Sequence, residues 1–190
     1  MTPKDYQLND LLRNVAVFKN EQDYRRLFNA LFPCLKGFAF TLLKSEDLAE
    51  EVASDVMITI WRKKELLTEV QNIKVYAFVI AKNLSLNVLK QQARHKLISL
   101  DDIDVNLAMF ERSPEEILMY TELKEKIKEV TEGLPAKCKL VFKLVREDGF
   151  SYKEAGEILN ISVKTVDAHL VAAVRKITAA LKQEFNLSKY

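Results

Sequence analysis

Three groups of side chains in this sequence have types and spacings that suit chemistry, and all three suit binding. The first lies in residues 162–176, where Lys164, Thr165, Ala168, His169, Ala172, Arg175 and Lys176 share the outer side of a helical pattern. Small, hydrogen-bonding and basic side chains on one helix face fit a DNA major groove, where base edges are read and phosphates flank the reader. The second group is Tyr76, Asn83, Asn87, Lys90 and Arg94, at steps of seven, four, three and four. An aromatic ring can stack on an unpaired base, amides can bond base edges, and cations can hold phosphates. From Val70 to Leu100 there is no acid, while Lys74, Lys82, Lys90, Arg94 and Lys96 are all cationic. That run favours a polyanion surface over a merely solvated basic helix. The third group is acidic: Glu46, Asp47, Glu50, Glu51 and Asp55. Acids near a helix N-terminus are favoured by the helix dipole, and a plain surface helix accounts for them as well as a protein-docking face does.

No catalytic constellation accompanies these groups. His95 and His169 lie far apart and have no paired nucleophile, and no Cys/His cluster has metal-ligand spacing. The expectation is therefore no enzyme, no metal and no cofactor. Cys34 and Cys138 are widely separated and read as reduced core thiols of a cytosolic protein. The N-terminus MTPKDYQLND lacks a secretory pattern, and no apolar run approaches the length of a membrane span. These features predict a cytoplasmic protein with no direct membrane insertion. A net charge of +2 decides little; its distribution along the chain decides more.

The elements that position these groups are helical. Only 4 Gly and 4 Pro in 190 residues leave few turns, so the fold class is all-α. Ser151 with Glu154 forms a capping box at the start of a short helix, Ala155 is a small residue for a close helix crossing, and Asn160 tolerates the left-handed backbone that ends it. Ser162 caps a second helix whose inner stripe is Val166, Leu170, Ala173 and Ile177. An ordinary helical hairpin shares this periodicity; the capped start, small crossing residue, turn Asn and basic outer face together favour a helix-turn-helix. The basic helix buries Ala77, Ile80, Ala81, Leu84 and Val88, and the acidic helix, capped by Ser45, buries Leu48, Val52, Val56 and Ile60. Trp61 reads as core.

Upstream, residues 1–20 form one helix with Leu8, Leu11, Leu12, Val15 and Phe18 as its apolar face. Residues 23–43 form another, which Pro33 and Gly37 interrupt or kink. Residues 63–73 read as a polar loop or short irregular helix. An acidic linker covers 97–112, and Ser113-Pro114-Glu115-Glu116 starts a further helix that stops near Gly133. A helix follows over about 136–147, and Asp148-Gly149 turns the chain into the helix-turn-helix. Two small helical domains result, 1–96 and 113–190, joined by the linker.

With two separate candidate nucleic-acid faces in order, the chain resembles an extracytoplasmic-function, or group-four, sigma factor of the sigma-70 family. Residues 50–61, EEVASDVMITIW, are similar to the part of region 2 that docks on the β′ clamp helices of RNA polymerase. Residues 76–90, YAFVIAKNLSLNVLK, resemble the helix that reads the promoter −10 element. Residues 134–176 are similar to region 4, whose helix-turn-helix reads the −35 element. The resemblance implies that Glu50, Glu51 and Asp55 lie in the clamp-docking segment and that residues 63–73 form a base-capturing specificity loop. It implies −10 contacts from Tyr76, Asn83 and Asn87, with Lys82, Lys90 and Arg94 on phosphates. It implies −35 contacts from Lys164, Thr165, Ala168 and His169, with Arg175 and Lys176 on the backbone. The implied partners are core RNA polymerase, through its β′ clamp helices and β flap, promoter DNA, and an anti-sigma factor, often membrane-bound. Tyr76 stands where the family usually has Trp, Asn87 where it has Asp, and Met57 where it has Phe. These departures bear on promoter preference rather than on fold.

Two other readings remain open at this level. Residues 162–170, SVKTVDAHL, also resemble the recognition helix of LuxR-type regulators, which would make the chain a stand-alone DNA-binding regulator. Residues 1–110 lack the strand-helix alternation that a receiver domain needs. An all-helical adaptor or anti-sigma factor is the third reading, and the acid-free basic stretch counts against it.

Overall fold

The computed structural model describes residues 3–93, 130 and 133–184. Within these residues the chain forms seven α-helices and no strand. They are α1 (Pro3–Phe18), α2 (Glu21–Leu43), α3 (Glu46–Lys63), α4 (Ile73–Gln92), α5 (Ala136–Phe142), α6 (Tyr152–Leu159) and α7 (Val163–Glu184). The linker at 97–112, the helix start at 113–116, and residues Arg94, His95 and Lys96 lie outside the described residues.

Local chemistry accounts for the helix starts. Asn20, Ser45 and Asn72 cap α2, α3 and α4 through their side chains, each from an extended backbone conformation. Lys19 and Lys44 take left-handed conformations, with φ of 51° and 56°, and break the chain between α1, α2 and α3. Asp23 is buried, and its carboxylate accepts from Asn14, Asn20 and Arg26. A buried carboxylate supplied with three donors ties α1 to α2 without leaving an unpaired charge.

Two expectations about the N-terminal half are corrected. Helix α2 runs unbroken through Pro33 and Gly37. Pro33 faces solvent, so the carbonyl deprived of its helical partner is open to water, while Gly37 lies on the buried side. Phe18 does not join the apolar face of α1; it is 74% exposed, whereas Leu12 and Val15 are buried. Helix α2 also qualifies the expectation of no span-length apolar segment. By length and composition it is long and apolar enough to cross a membrane, yet half of its apolar window is buried inside the fold.

Residues 63–73 contain one 3-10 turn, Leu66–Glu69, with Leu67 buried and Leu66 exposed. The helix expected over 136–147 divides: α5 ends at Phe142, and Lys143–Glu147 widens into a π-type turn. The backbone N–H groups of Asp148 and Phe150 donate to the carbonyls of Lys143 and Leu144. Gly149, at φ +74°, then turns the chain toward α6.

One buried cluster joins the two halves. Phe38 of α2 packs on Phe78 of α4 at 5.1 Å between ring centroids, and Phe78 meets the edge of Phe150 at 4.8 Å. Leu140, Leu144, Ala155, Ile158 and Leu159 belong to the same core as Leu31, Leu35, Met57 and Ile60. The sequence left the relative placement of the halves open; the fold docks α6 against α4. Each ring contact of this kind adds about 0.5–1.5 kcal/mol beyond area burial.

Candidate nucleic-acid interfaces

Helix α4 separates its side chains by angle. At about 100° per residue, Tyr76, Asn83, Asn87 and Lys90 fall within about 60° of one another. Asn83, Asn87 and Lys90 are exposed and Tyr76 is half-buried at the edge of this face. Ile73, Ala77, Phe78, Ala81 and Ser85 occupy the buried side. The aromatic, amide and cationic set read from the sequence is thus one exposed strip, available to a stacked base and its phosphates. Arg94 lies outside the described residues.

Lys82 does not share that strip. It is 8% exposed and lies about 100° around the helix from Asn83, one turn beyond Phe78. Burial pushes its ammonium below the ordinary lysine range, because the charged form loses its hydration. A phosphate contact by Lys82 therefore requires this side of α4 to be uncovered.

Helix α7 begins at a side-chain cap. Ser162 Oγ accepts the backbone N–H of Thr165 at 3.1 Å and lies 2.7 Å from Thr165 Oγ1. Val166, Leu170, Ala173 and Ile177 are buried, as the inner stripe requires. Lys164, Ala168, Arg175 and Lys176 are exposed. Thr165 and His169 are only half-exposed and engaged: Thr165 with Ser162, and His169 Nδ1 with Cys138 Sγ at 3.4 Å. Val171, 58% exposed, lies between Lys164, Ala168 and Arg175 on the outermost face. Sequence reasoning missed it. Its signal was an apolar residue out of register with the inner stripe. A valine there offers the apolar contact that a thymine methyl group accepts.

The turn between α6 and α7 is built on Gly156 as much as on Ala155. Both are buried, but a Cβ at Gly156 would lie 2.8 Å from the Ile161 carbonyl oxygen. Only glycine admits that approach, through which Ile161 N–H reaches the Gly156 carbonyl at 2.9 Å. Asn160 closes α6 with φ 57° and ψ 49°, and Ser151 with Glu154 forms a complete capping box.

On α3, Glu51 and Asp55 are exposed on one face, with Ile58, 45% exposed, beside them. Glu50 lies on the flank and accepts from Lys36 of α2 at 2.9 Å; Lys36 also pairs with Glu46 at 3.0 Å. Trp61 sits against Tyr24 at 4.7 Å, with Lys64 over its ring. Burial pushes the Cys34 and Cys138 thiols up, so both are protonated and weakly nucleophilic at neutral pH. No group of three or more metal-ligating side chains occurs among the described residues.

The comparisons with known proteins agree with this arrangement. Residues 27–95 match the family described as Sigma-70 region 2, and residues 124–177 match Sigma-70, region 4. The ECF RNA polymerase sigma factor RpoE of Cereibacter sphaeroides is 30% identical over 82 residues, 43% of this chain and 45% of that protein. The ferric citrate uptake sigma factor FecI of Escherichia coli is 23% identical over 80% of this chain and 86% of its own length. The fold is shared with the sigma factor RpoE of Bartonella quintana, solved in complex with the anti-sigma factor NepR. That match has a TM-score of 0.62 and 22% identity, over 86% of this chain and 99% of that one. It is shared too with CnrH in complex with the cytosolic domain of CnrY, at a TM-score of 0.62 and 17% identity, over 94% and 99%. Region 2 followed by region 4 spans well over half of the sequence, and the chain belongs to the sigma-70 family of transcription initiation factors, with ECF sigma factors among its relatives.

Proposed function

We propose that this chain is a group-four, extracytoplasmic-function sigma factor that binds core RNA polymerase in the bacterial cytoplasm and directs it to promoters. In this reading residues 1–96 dock on polymerase and open and read the −10 element, 97–112 link, and 113–190 read the −35 duplex. The observation that carries it is the strip of exposed Asn83, Asn87 and Lys90, with half-buried Tyr76 at its edge, on a helix whose sequence neighbourhood has no acid. A regulator that reads only duplex DNA has no use for such a strip, whereas base capture from a melted strand does.

Asn83 and Asn87 bond −10 bases, Tyr76 stacks on one, and Lys90 and Arg94 hold the strand's phosphates. Lys82 joins them once its side of α4 is uncovered. Lys164, Ala168 and Val171 enter the −35 major groove, and Arg175 and Lys176 hold its backbone. Thr165 and His169 flank the groove, held by the Ser162 cap and Cys138. Glu51 and Asp55 meet the β′ clamp helices, and Glu50, through Lys36, braces that surface from the side. The β flap receives the C-terminal unit. An anti-sigma factor is the expected regulator, by analogy with the NepR and CnrY complexes of the structural relatives.

Run-off transcription with purified core polymerase, with and without this protein, tests the reading. A transcript that depends on both the protein and a promoter is the expected result. Core binding without a transcript would favour an adaptor, and DNA binding without core binding would favour a stand-alone regulator.

A further inference from the structure

The N-terminal caps of α4 and α6 are one hydrogen-bonded unit. Asn72 Oδ1 accepts the backbone N–H groups of Lys74 and Val75, at 3.0 and 3.2 Å, and so caps α4. The same amide's Nδ2 donates to Glu154 Oε1 at 2.8 Å, across 82 positions of sequence. The other oxygen, Glu154 Oε2, accepts from the backbone N–H and the hydroxyl of Ser151, at 2.8 and 2.7 Å, and completes the capping box of α6. Beside this bridge, Lys74 Nζ donates to the Asp148 carbonyl at 2.6 Å and lies 4.3 Å from the Phe150 ring centroid. Asn9 of α1 bonds the same segment from the other side, through the Gln71 carbonyl and the Ile73 N–H.

We infer that the Asn72–Glu154 bridge, with Lys74 on Asp148 and Phe150, is a latch that holds the C-terminal unit docked on α4 in the free chain. The apolar contact of Phe150 with Phe78 holds the same interface, and three features mark the polar pairs as a latch added to it. The polar pairs sit at the rim of the interface, half-buried, where water can replace each partner. Each cap survives separation, because Asn72 Oδ1 and Glu154 Oε2 serve their own helices and only the cross-bond is lost. The bridge is charge-assisted, so it responds to charge at a single atom.

The functional consequence rests on the two-grip reading of α4 and α7. Elements centred on −35 and −10 lie roughly 25 base pairs apart, about 85 Å of B-DNA at ~3.4 Å per pair. A compact chain of this length has a radius of gyration of about 16 Å. Both grips cannot engage while the latch is closed.

The test exploits the double role of Asn72. Asn72→Asp keeps an equally good N-cap for α4 but replaces the amide donor with a second carboxylate facing Glu154. Combining it with Glu154→Gln restores a donor–acceptor pair and keeps a residue that completes the capping box. Single-molecule energy transfer between dyes at the exposed positions 13 and 179, on the full chain without DNA, reads the open fraction. Helicity by circular dichroism checks that each variant is folded. We expect the wild type to be mainly compact, Asn72→Asp to raise the open-to-closed ratio by about tenfold or more, and the double variant to return it most of the way. Lys74→Met, which changes only a side chain that touches neither cap, should also raise it. An open fraction unchanged in Asn72→Asp and Lys74→Met, or a wild type already open, overturns the latch. Because no DNA is present, this result is independent of the transcription test, which alone reads the two-grip function.

Discussion

Asp148 is the residue whose chemistry is most at odds with its place. Its carboxylate is 8% exposed, lies 3.7 Å from Lys143 Nζ, and its Oδ2 makes no hydrogen bond among the described residues. Burial raises its pKa from 3.8 to about 6, and the attraction of Lys143 and Lys74 does not offset that. The folded chain therefore binds this proton more tightly than the unfolded one. The stability it contributes is fully present below pH 3.8 and is lost as pH rises through about 6. Asp148→Asn should raise the melting temperature at pH 7–8 and flatten the decline between pH 4 and 6, measured by thermal denaturation against wild type. Parallel pH profiles for the two proteins would refute this. Nothing in the sequence marks Asp148: it stands in a turn beside Gly149, where an Asp is ordinarily solvated. Ser151, Glu154 and Asn160, by contrast, were legible, because capping and left-handed turns are local chemistry. Asn72 is also local chemistry, but its second bond, to Glu154, is tertiary and left no trace in the pattern.

At the scale of elements, helical periodicity found the faces but not their limits. The strip on α4 was readable because a 3.6-residue period places Tyr76, Asn83, Asn87 and Lys90 together whatever the helix packs on. Lys82 was added to them only as a phosphate contact implied by the family resemblance, and its angle on the helix separates it from them. Pro33 reads as a break because it removes a hydrogen bond, yet α2 continues, since packing of Leu27, Leu31, Leu35 and Phe38 outweighs one bond exposed to water. In the helix-turn-helix, Ala155 was the visible small residue, whereas the contact that fixes the turn is at Gly156. Gly156→Ala should destabilise the fold by about 1–3 kcal/mol, because the methyl group meets backbone at Ile161 that has nowhere to move. Chemical denaturation measures this, and a change below about 0.5 kcal/mol would show that the turn relaxes freely.

The whole molecule is where sequence reasoning stopped. The all-α class and the order of the two units were legible, because each unit carries its own amphipathic stripes and caps. Their docking was not, because it depends on Phe150 reaching Phe78, a contact between residues far apart in sequence that no local periodicity marks, helped by the widened turn at Lys143–Glu147. The exposed faces of α3, α4 and α7 are built from different residues, so binding to polymerase, to melted strand and to duplex can be separated by mutation. The most direct measurement pairs core-polymerase binding with promoter opening, read by permanganate reactivity of unpaired thymines, in two variants. Asn83→Ala should keep core binding within about twofold and lose opening by about tenfold or more, as expected for a buried base contact worth 1–3 kcal/mol. Glu51→Lys with Asp55→Lys should lose core binding first. Loss of core binding by Asn83→Ala, or full promoter opening by it, would contradict the assignment of α4 as the helix that reads the melted strand.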